Sequence, residues 1–190
     1  MTKIKKIKKK MSLLVFSSVM VLGVWLAWDL IKDDERLIEQ EVHSLHQLYT
    51  ELIHIELINN EYSLAFYEWG NLEHIGVVEL EKTLFGWRFS SSMSERVGQD
   101  AFYVELNHFS VISQAVPSTI DEVYIELPNG NIHNAKLIEG EESINKYWIY
   151  YSDTEILSQA VVTTHDKNGD KLSEVMMPDE PNEGLNRVIE

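Results

Sequence analysis

One apolar run constrains this chain more than any other feature. Residues 11–31 read MSLLVFSSVMVLGVWLAWDLI, and Asp29 is the one charged residue among them. A helix rises about 1.5 Å per residue, so a run of this length crosses the roughly 30 Å hydrocarbon core of a bilayer. We therefore predict that the chain enters the lipid bilayer as a transmembrane signal anchor from Met11 to Ile31.

The charges on either side of this run predict its orientation. Residues 1–10 contain six lysines, whereas residues 33–35 are all acidic. Lysine-rich flanks stay in the cytoplasm during insertion, so we expect a single-pass protein of the cell membrane with its C-terminal part outside. A cleaved signal peptide is the alternative. It needs small residues before the cut, and Trp25 occupies one of those positions if Ala27 is the last.

The rest of the chain is strongly acidic and lacks cysteine. Beyond residue 32 there are nine basic and 30 acidic residues, a net charge of −21. Phosphate contacts need clustered lysine and arginine, so nucleic acid is excluded as a partner. The absence of cysteine removes disulfides, thiolate metal sites, a cysteine nucleophile and a lipoprotein anchor. This composition fits an exported domain of a Gram-positive bacterium.

Residues 32–50 have the apolar spacing of an amphipathic helix. Their apolar side chains recur at intervals of three and four, which predicts a short helical stalk that extends the anchor. We place the change from helix to strand between Thr50 and Ile53. His43 and His46 would share one side of this helix as a pair of metal ligands, but a third ligand is missing nearby, so we interpret them as solvated.

Residues 51–177 predict a mainly β domain outside the cytoplasm. Turn signals recur at intervals of roughly ten residues, which favours an antiparallel sheet or sandwich over a parallel α/β fold. Polar residues 90–100 show no apolar period and predict a mobile loop, and residues 178–190 predict a flexible acidic tail. The runs that we predict as strands are 62–69, 75–81, 84–89, 102–106, 109–116, 120–127, 132–138, 147–151, 156–164 and 171–176.

Two aromatic clusters lie within these predicted strands. Neighbouring side chains of a strand point to opposite faces, so about half of each cluster belongs to the core. The other half would form an exposed shelf for a sugar or a peptide. The clusters consist of Phe66, Tyr67 and Trp69, and of Tyr147, Trp148, Tyr150 and Tyr151.

Acidic residues suggest two further sites, and each has a structural interpretation. The turn from Asp166 to Asp170 resembles a calcium loop, but its glycine is fourth instead of sixth, so we predict a hairpin turn. Glu79 and Glu81 share one face of a predicted strand, which suits acid–base chemistry or plain solvent exposure. GxSxG, HExxH and phosphate-loop motifs are absent from the sequence. We therefore assign no catalytic, cofactor-binding or metal-ligating residue.

Several segments of the sequence, taken together, carry a resemblance to a known group of proteins. After the lysine-rich leader and the apolar run come LAFYEWGNLEHIGVVELEKTLFGWRFSS, IDEVYIEL and AVVTTHDKNGDKL. Together they resemble small uncharacterised membrane-anchored or exported proteins of Bacillus-like Gram-positive bacteria. The resemblance covers residues 62–172 and implies an extracytoplasmic β domain. It implies no activity, and no functional residue is carried over.

These features predict a membrane-anchored binding or regulatory module at the cell surface, with a protein partner there and no cofactor. A surface hydrolase that uses paired carboxylates is one alternative. An accessory subunit of a membrane complex, acting through its transmembrane helix, is another. A buried carboxylate pair inside a pocket would favour the hydrolase, whereas an exposed apolar patch would favour the binding module.

Overall fold

The computed structural model describes residues 34–45, 50–71, 73–98, 101–140 and 145–181. Within these ranges the protein is mainly β, which confirms the predicted fold class: twelve strands form three antiparallel sheets, and one helix precedes them. The proposed anchor over residues 11–31 lies outside the described residues, and so does His46. In the part that is described, no helix has the length and apolar character needed to cross a membrane.

The helix, α1, covers residues 34–45, and the strands follow it along the chain. Their bounds are β1 Thr50–Ile58, β2 Tyr62–Trp69, β3 His74–Thr83, β4 Gly86–Arg96, β5 Phe102–Glu105, β6 Ser110–Val116, β7 Glu122–Glu126, β8 Ile132–Asn134, β9 Lys136–Glu139, β10 Lys146–Ser152, β11 Val161–His165 and β12 Lys171–Met176. In α1, Ile38 and Val42 are buried one turn apart, so the helix has one apolar face.

The three sheets use the strands in a simple order. The first sheet is the meander β1-β2-β3-β4, the second has the order β5-β6-β10-β9, and the third has the order β12-β11-β7-β8. Tight turns make the meander possible. Asn59 and Asn60 join β1 to β2 with positive φ angles, and Gly70 and Asn71 do the same before β3. These residue types adopt positive φ at low cost, which is what short hairpin turns require.

The second sheet is the middle layer of the domain. Alternate residues of β10 enter different cores: Tyr147 and Ile149 pack with the first sheet, and Trp148 packs with the third. In β5, Phe102 joins the first core and Tyr103 the second. A strand covered on both faces buries every side chain, so the central residues of these strands are all apolar or aromatic.

Five predictions about strands and loops need correction. Two concern where a strand begins: β1 already includes Thr50, and β11 begins only at Val161, so residues 156–160 are not strand. Residues 90–96 do not belong to a mobile loop, because β4 continues through the serine run to Arg96 and pairs with β3, whereas residues 99 and 100 lie outside the described residues. The backbone hydrogen bonds of β4, which side-chain periodicity does not report, hold it in the sheet. Residues 84–89 are not one strand, because the chain turns at Leu84 and Phe85. Residues 132–138 divide into β8 and β9, which belong to different sheets.

The aromatic clusters do not form an exposed shelf. Phe66, Tyr67, Tyr147 and Trp148 are buried, and the other three members of the clusters are half-buried. The expectation failed because it assumed that one face of each strand meets solvent. The middle sheet, which contains Tyr147, Trp148, Tyr150 and Tyr151, instead has a core on both sides. In the first sheet, β2 buries every residue from Ser63 to Glu68.

The acidic turn after β11 has the geometry of a hairpin turn. One carboxylate oxygen of Asp166 accepts hydrogen bonds from the backbone N–H groups of Asn168 and Asp170, at 2.8 and 3.0 Å. Gly169 has a φ of 83°, the conformation for which glycine is favoured. These bonds lower the pKa of Asp166, the one from Asp170 most. Its carboxylate therefore caps the turn.

Candidate functional site

A buried carboxylate lies where the first and second sheets meet. Glu79 of β3 is fully buried, and both of its oxygens accept hydrogen bonds. The hydroxyl of Ser90 donates to Oε1 at 2.9 Å, and the backbone N–H of His108 donates to Oε2 at 3.0 Å. The ring Nδ1 of His108 lies 2.6 Å from Oε1. These contacts supply the partners that a buried carboxylate requires.

A bulge in the first sheet and a loop of the second sheet bring these groups together. The register of β3 and β4 shifts between Glu79 and Leu80, and the bulged strand brings Ser90 to the carboxylate. The loop between β5 and β6 supplies His108. Next to it, the side chain of Asn107 donates to the carbonyl and the hydroxyl of Ser90, at 3.2 and 3.0 Å. We call Glu79, Ser90, Asn107 and His108 the polar clamp, because they fasten this loop to the first sheet.

Glu81 belongs to the same surface but has a different environment. As predicted from the sequence, it shares a strand face with Glu79, and its Oε1 lies 3.9 Å from Nδ1 of His108. Its other oxygen accepts a 2.8 Å hydrogen bond from the exposed Arg88. The two carboxylates are therefore not equivalent, because one is buried in the clamp and the other forms a surface ion pair.

The polar clamp and the neighbouring Glu81 contain donor atoms of the types that bind metals. One oxygen each from Glu79 and Glu81 and one nitrogen of His108 lie within 4.8 Å of one another. Zinc accepts such carboxylate and imidazole ligands at about 2.0–2.2 Å. In this arrangement, however, both oxygens of Glu79 already accept hydrogen bonds from the clamp. The contacts describe a link between sheets rather than an open coordination sphere.

An open cleft of about 280 Å³ lies beside the clamp. Residues 105–110 form one wall and residues 152–155 the other, so His108 contributes to both clamp and cleft. Within the second wall, Glu155 accepts a 2.6 Å hydrogen bond from the phenol of Tyr150, and its Oε1 lies 3.2 Å from Nε2 of His133. The hydrogen bond from Tyr150 is the main reason why the pKa of Glu155 is lowered. Glu79 and Glu81 do not line this cleft.

The second candidate surface is the tip of the β3–β4 hairpin. Leu84 and Phe85 are 98% and 99% exposed. Thr83 fixes the turn, because its hydroxyl donates to the carbonyl of Gly86 at 2.8 Å and accepts from the backbone N–H of Phe85 at 3.2 Å. Behind the tip, the ammonium group of Lys82 lies 5.3 Å from the ring centre of the buried Trp87. We call residues 82–88 the hairpin tip.

The turn itself does not require apolar residues. Gly86 carries the positive φ of 118°, whereas Leu84 and Phe85 are not among the residues with positive φ in the described chain. Polar residues, asparagine or glycine would serve this turn at least as well. Because Leu84 and Phe85 also contribute nothing to either core, their exposure is the feature of this hairpin that folding does not explain.

Sequence reasoning found part of these surfaces. It placed Glu79 and Glu81 on one face, but it missed His108, which lies 29 residues further along the chain. No short motif links residues at that separation. It also read Leu84 and Phe85 as strand residues, although Thr83 and Gly86 on either side are common turn residues.

No protein-family model, curated protein or solved structure matches this chain. Its fold and these two surfaces define an acidic, antiparallel β protein with a polar clamp between two sheets and an exposed apolar hairpin tip.

Proposed function

We propose that this protein is a single-pass, membrane-anchored binding module that acts outside the cytoplasm through its hairpin tip. The single observation behind the binding role is the exposure of Leu84 and Phe85. Exposed apolar groups that folding does not require are typical of contact sites. The anchor rests on the sequence of residues 11–31 and on the lysine-rich leader before it.

The environment of the carboxylates supports binding over hydrolysis. Glu79 is buried but has its oxygens occupied by the clamp, and Glu81 pairs with Arg88. A general acid or base must be able to reach the substrate. Neither carboxylate lines the cleft.

The anchor and its orientation can be tested on intact cells. Carbonate at high pH removes peripheral proteins but leaves a spanning helix in the membrane, so we expect the full chain to stay in the pellet. Protease added outside should remove the domain that begins near Thr50. Extraction by carbonate, or a domain that is protected until the cells are lysed and the wall removed, would contradict this proposal.

The contact role of the tip needs a separate test. A photo-crosslinking amino acid at position 85 of the full chain should form adducts on intact cells. The matched control is position 156, because Ile156 is also an exposed apolar residue, at 72% exposure, but lies outside the tip. Equal adduct yields at the two positions would show that the tip is not a preferred contact.

A hydrolase is the second candidate, and His108 is the observation that favours it. Its Nδ1 is held by a buried carboxylate while the residue lines a cleft, which is how a general-base histidine is oriented. Among the described residues, however, no serine or threonine hydroxyl is hydrogen-bonded to His108. Labelling of the full chain by a fluorophosphonate, lost in His108→Gln, would favour this candidate. Absence of labelling would count against a serine hydrolase.

A further inference from the structure

The hairpin tip has the reach and composition of a segment that enters a lipid surface. We propose that Leu84 and Phe85 insert into the interfacial region of the outer face of the membrane that holds the anchor. This inference rests on the proposed function, because it names what the tip contacts.

The hairpin tip projects beyond β2 of the first sheet. Tyr62 of β2 pairs with Glu81, and beyond this pair the ladder between β3 and β4 continues with two more residue pairs, ending at Thr83 and Gly86. A strand advances about 3.3 Å per residue, so Leu84 lies roughly 10 Å beyond Glu81 along the strand. Interfacial segments bury their apolar side about 5–10 Å into a bilayer. The projection is therefore long enough to place both apolar side chains below the headgroups.

The order of side chains along the projection suits a lipid interface. Leu84 and Phe85 are at its end, and the basic groups of Lys82 and Arg88 flank them. Apolar residues at the point and basic residues behind it match the change from hydrocarbon to headgroup in a bilayer. No acidic residue lies between Lys82 and Arg88, although acidic residues outnumber basic ones 30 to nine beyond residue 32.

The charge of the domain explains why contact would be confined to the tip. A net charge of −21 beyond residue 32 repels an anionic lipid surface. Residues 82–88 carry two positive charges, Lys82 and Arg88, and no negative one. Immediately behind them, Glu81 pairs with Arg88, and the backbone carbonyl of Glu61 accepts from the N–H of Lys82. The domain would therefore stand off the membrane and approach it with the tip first.

The size of the apolar area favours lipid over a protein partner. A stable protein interface buries about 800 Å² on each partner, whereas one large aromatic side chain supplies roughly 150–250 Å². Leu84 and Phe85 together fall well short of such an interface, and the flanking residues 82 and 83 and Arg88 are polar and exposed. A bilayer needs no complementary surface. An anchor in the same chain also raises the effective lipid concentration at the tip, so a low intrinsic affinity of the tip for lipid is sufficient.

The absence of cysteine allows a clean test on the full chain. In Phe85→Cys and, separately, Ile156→Cys, an environment-sensitive fluorophore can be attached at a single position of a chain that has no other thiol. Both variants are reconstituted into vesicles of phosphatidylcholine with phosphatidylglycerol. Quenching by nitroxide-labelled lipids reports contact with the bilayer, and quenching by aqueous iodide reports exposure to water.

We expect lipid quenching to be about threefold stronger at position 85 than at position 156, with the reverse order for iodide, because a tip at interfacial depth is shielded from water. Lys82→Glu in the Phe85→Cys background should weaken the lipid quenching, with the fold checked by circular dichroism. Iodide quenching at position 85 as strong as at position 156 would overturn the inference. Protection from both quenchers with concentration-dependent self-association would also overturn it, in favour of a second copy.

The two proposals can fail independently. Flotation and carbonate extraction of the same vesicles test the anchor, whatever the fluorophore reports. If the chain is extracted, the labelled chain is instead titrated with preformed vesicles. A blue shift at position 85 then supports lipid contact by the tip, and no shift overturns it.

Discussion

The ring Nδ1 of His108 lies 2.6 Å from Oε1 of Glu79, and this contact fastens the loop between β5 and β6 to the first sheet. The two partners differ in their access to water. The carboxylate of Glu79 is fully buried, whereas 41% of the His108 side chain is exposed. Losing one partner therefore has a different consequence from losing the other.

We expect Glu79→Ala to lower the free energy of unfolding by about 3 kcal/mol, because the backbone N–H of His108 and the hydroxyl of Ser90 lose their acceptor and a cavity forms. His108→Ala should cost about 1–2 kcal/mol, since the carboxylate keeps the other two donors. Urea denaturation measures both. Glu81→Ala is the matched control, because its ion pair with exposed Arg88 contributes at most about 1 kcal/mol. Equal losses in Glu79→Ala and Glu81→Ala would contradict the buried role of Glu79.

The fold could be predicted from local signals where turns are encoded locally. Asn59 with Asn60 and Gly70 with Asn71 mark two hairpins in the sequence, and the structure has positive φ angles at all four. The assignment of strands to layers could not be predicted in this way. Residues 132–138 read as one strand, yet tertiary pairing sends β8 to β7 and β9 to β10. The clamp was missed for the same reason, since pairing between distant segments creates it.

Gly76 occupies a position where a side chain does not fit. A Cβ atom added there would lie 2.4 Å from Cζ of Tyr67, which is buried on the neighbouring strand. We expect Gly76→Ala to cost about 1–3 kcal/mol through overpacking. In Tyr67→Leu, which lacks the ring atoms in question, the same substitution should cost less.

A double-mutant cycle with thermal or urea unfolding measures this coupling. Gly130→Ala is the control, because a Cβ atom there meets nothing and its φ of 84° accounts for the expected cost of about 1 kcal/mol. That cost should be the same with Tyr67 or leucine at position 67. Identical costs of Gly76→Ala in the two backgrounds would mean that Tyr67 is not the obstacle.

A second buried carboxylate links the first and second sheets. Glu68 of β2 is fully buried, and its Oε1 accepts hydrogen bonds from the phenol of Tyr147 and, at 2.8 Å, from the side chain of Asn145. Burial, with the bond to Glu68 as the next contribution, raises the pKa of Tyr147. Removing the phenol oxygen leaves the carboxylate with one donor fewer.

We expect Tyr147→Phe to cost about 2 kcal/mol, because it leaves a buried carboxyl group with one hydrogen-bond donor fewer. Tyr124→Phe is the matched control, because its phenol donates to Glu122 on an exposed strand face and should contribute little. Urea denaturation of the two variants compares them directly. A loss in Tyr124→Phe as large as in Tyr147→Phe would show that burial of the acceptor does not set the cost.

Glu56 of β1 gives the stability of the fold an acid dependence. Its Oε2 accepts hydrogen bonds from Lys136 of β9 at 2.7 Å and from His54 at 2.9 Å. Burial alone would raise the pKa of Glu56, but these two hydrogen bonds outweigh it and lower the pKa below its ordinary value of 4.5. Because the pKa is lower in the folded state, the stabilising contribution is complete above the ordinary value and disappears as the pH falls through the folded one.

Glu56→Gln should therefore be less stable than the unmodified protein at pH 6. The difference should be at most about 1 kcal/mol, because the side chains of Glu56 and Lys136 are both partly exposed to solvent. The difference should shrink as the pH is lowered toward 3, since protonation removes the same charge from the unmodified protein. Thermal unfolding across this pH range measures it. Glu174→Gln is the control for loss of an exposed ion pair, because Glu174 pairs with Lys171 on an exposed strand and should contribute at most about 1 kcal/mol. A difference that grew on acidification would contradict a lowered pKa at Glu56.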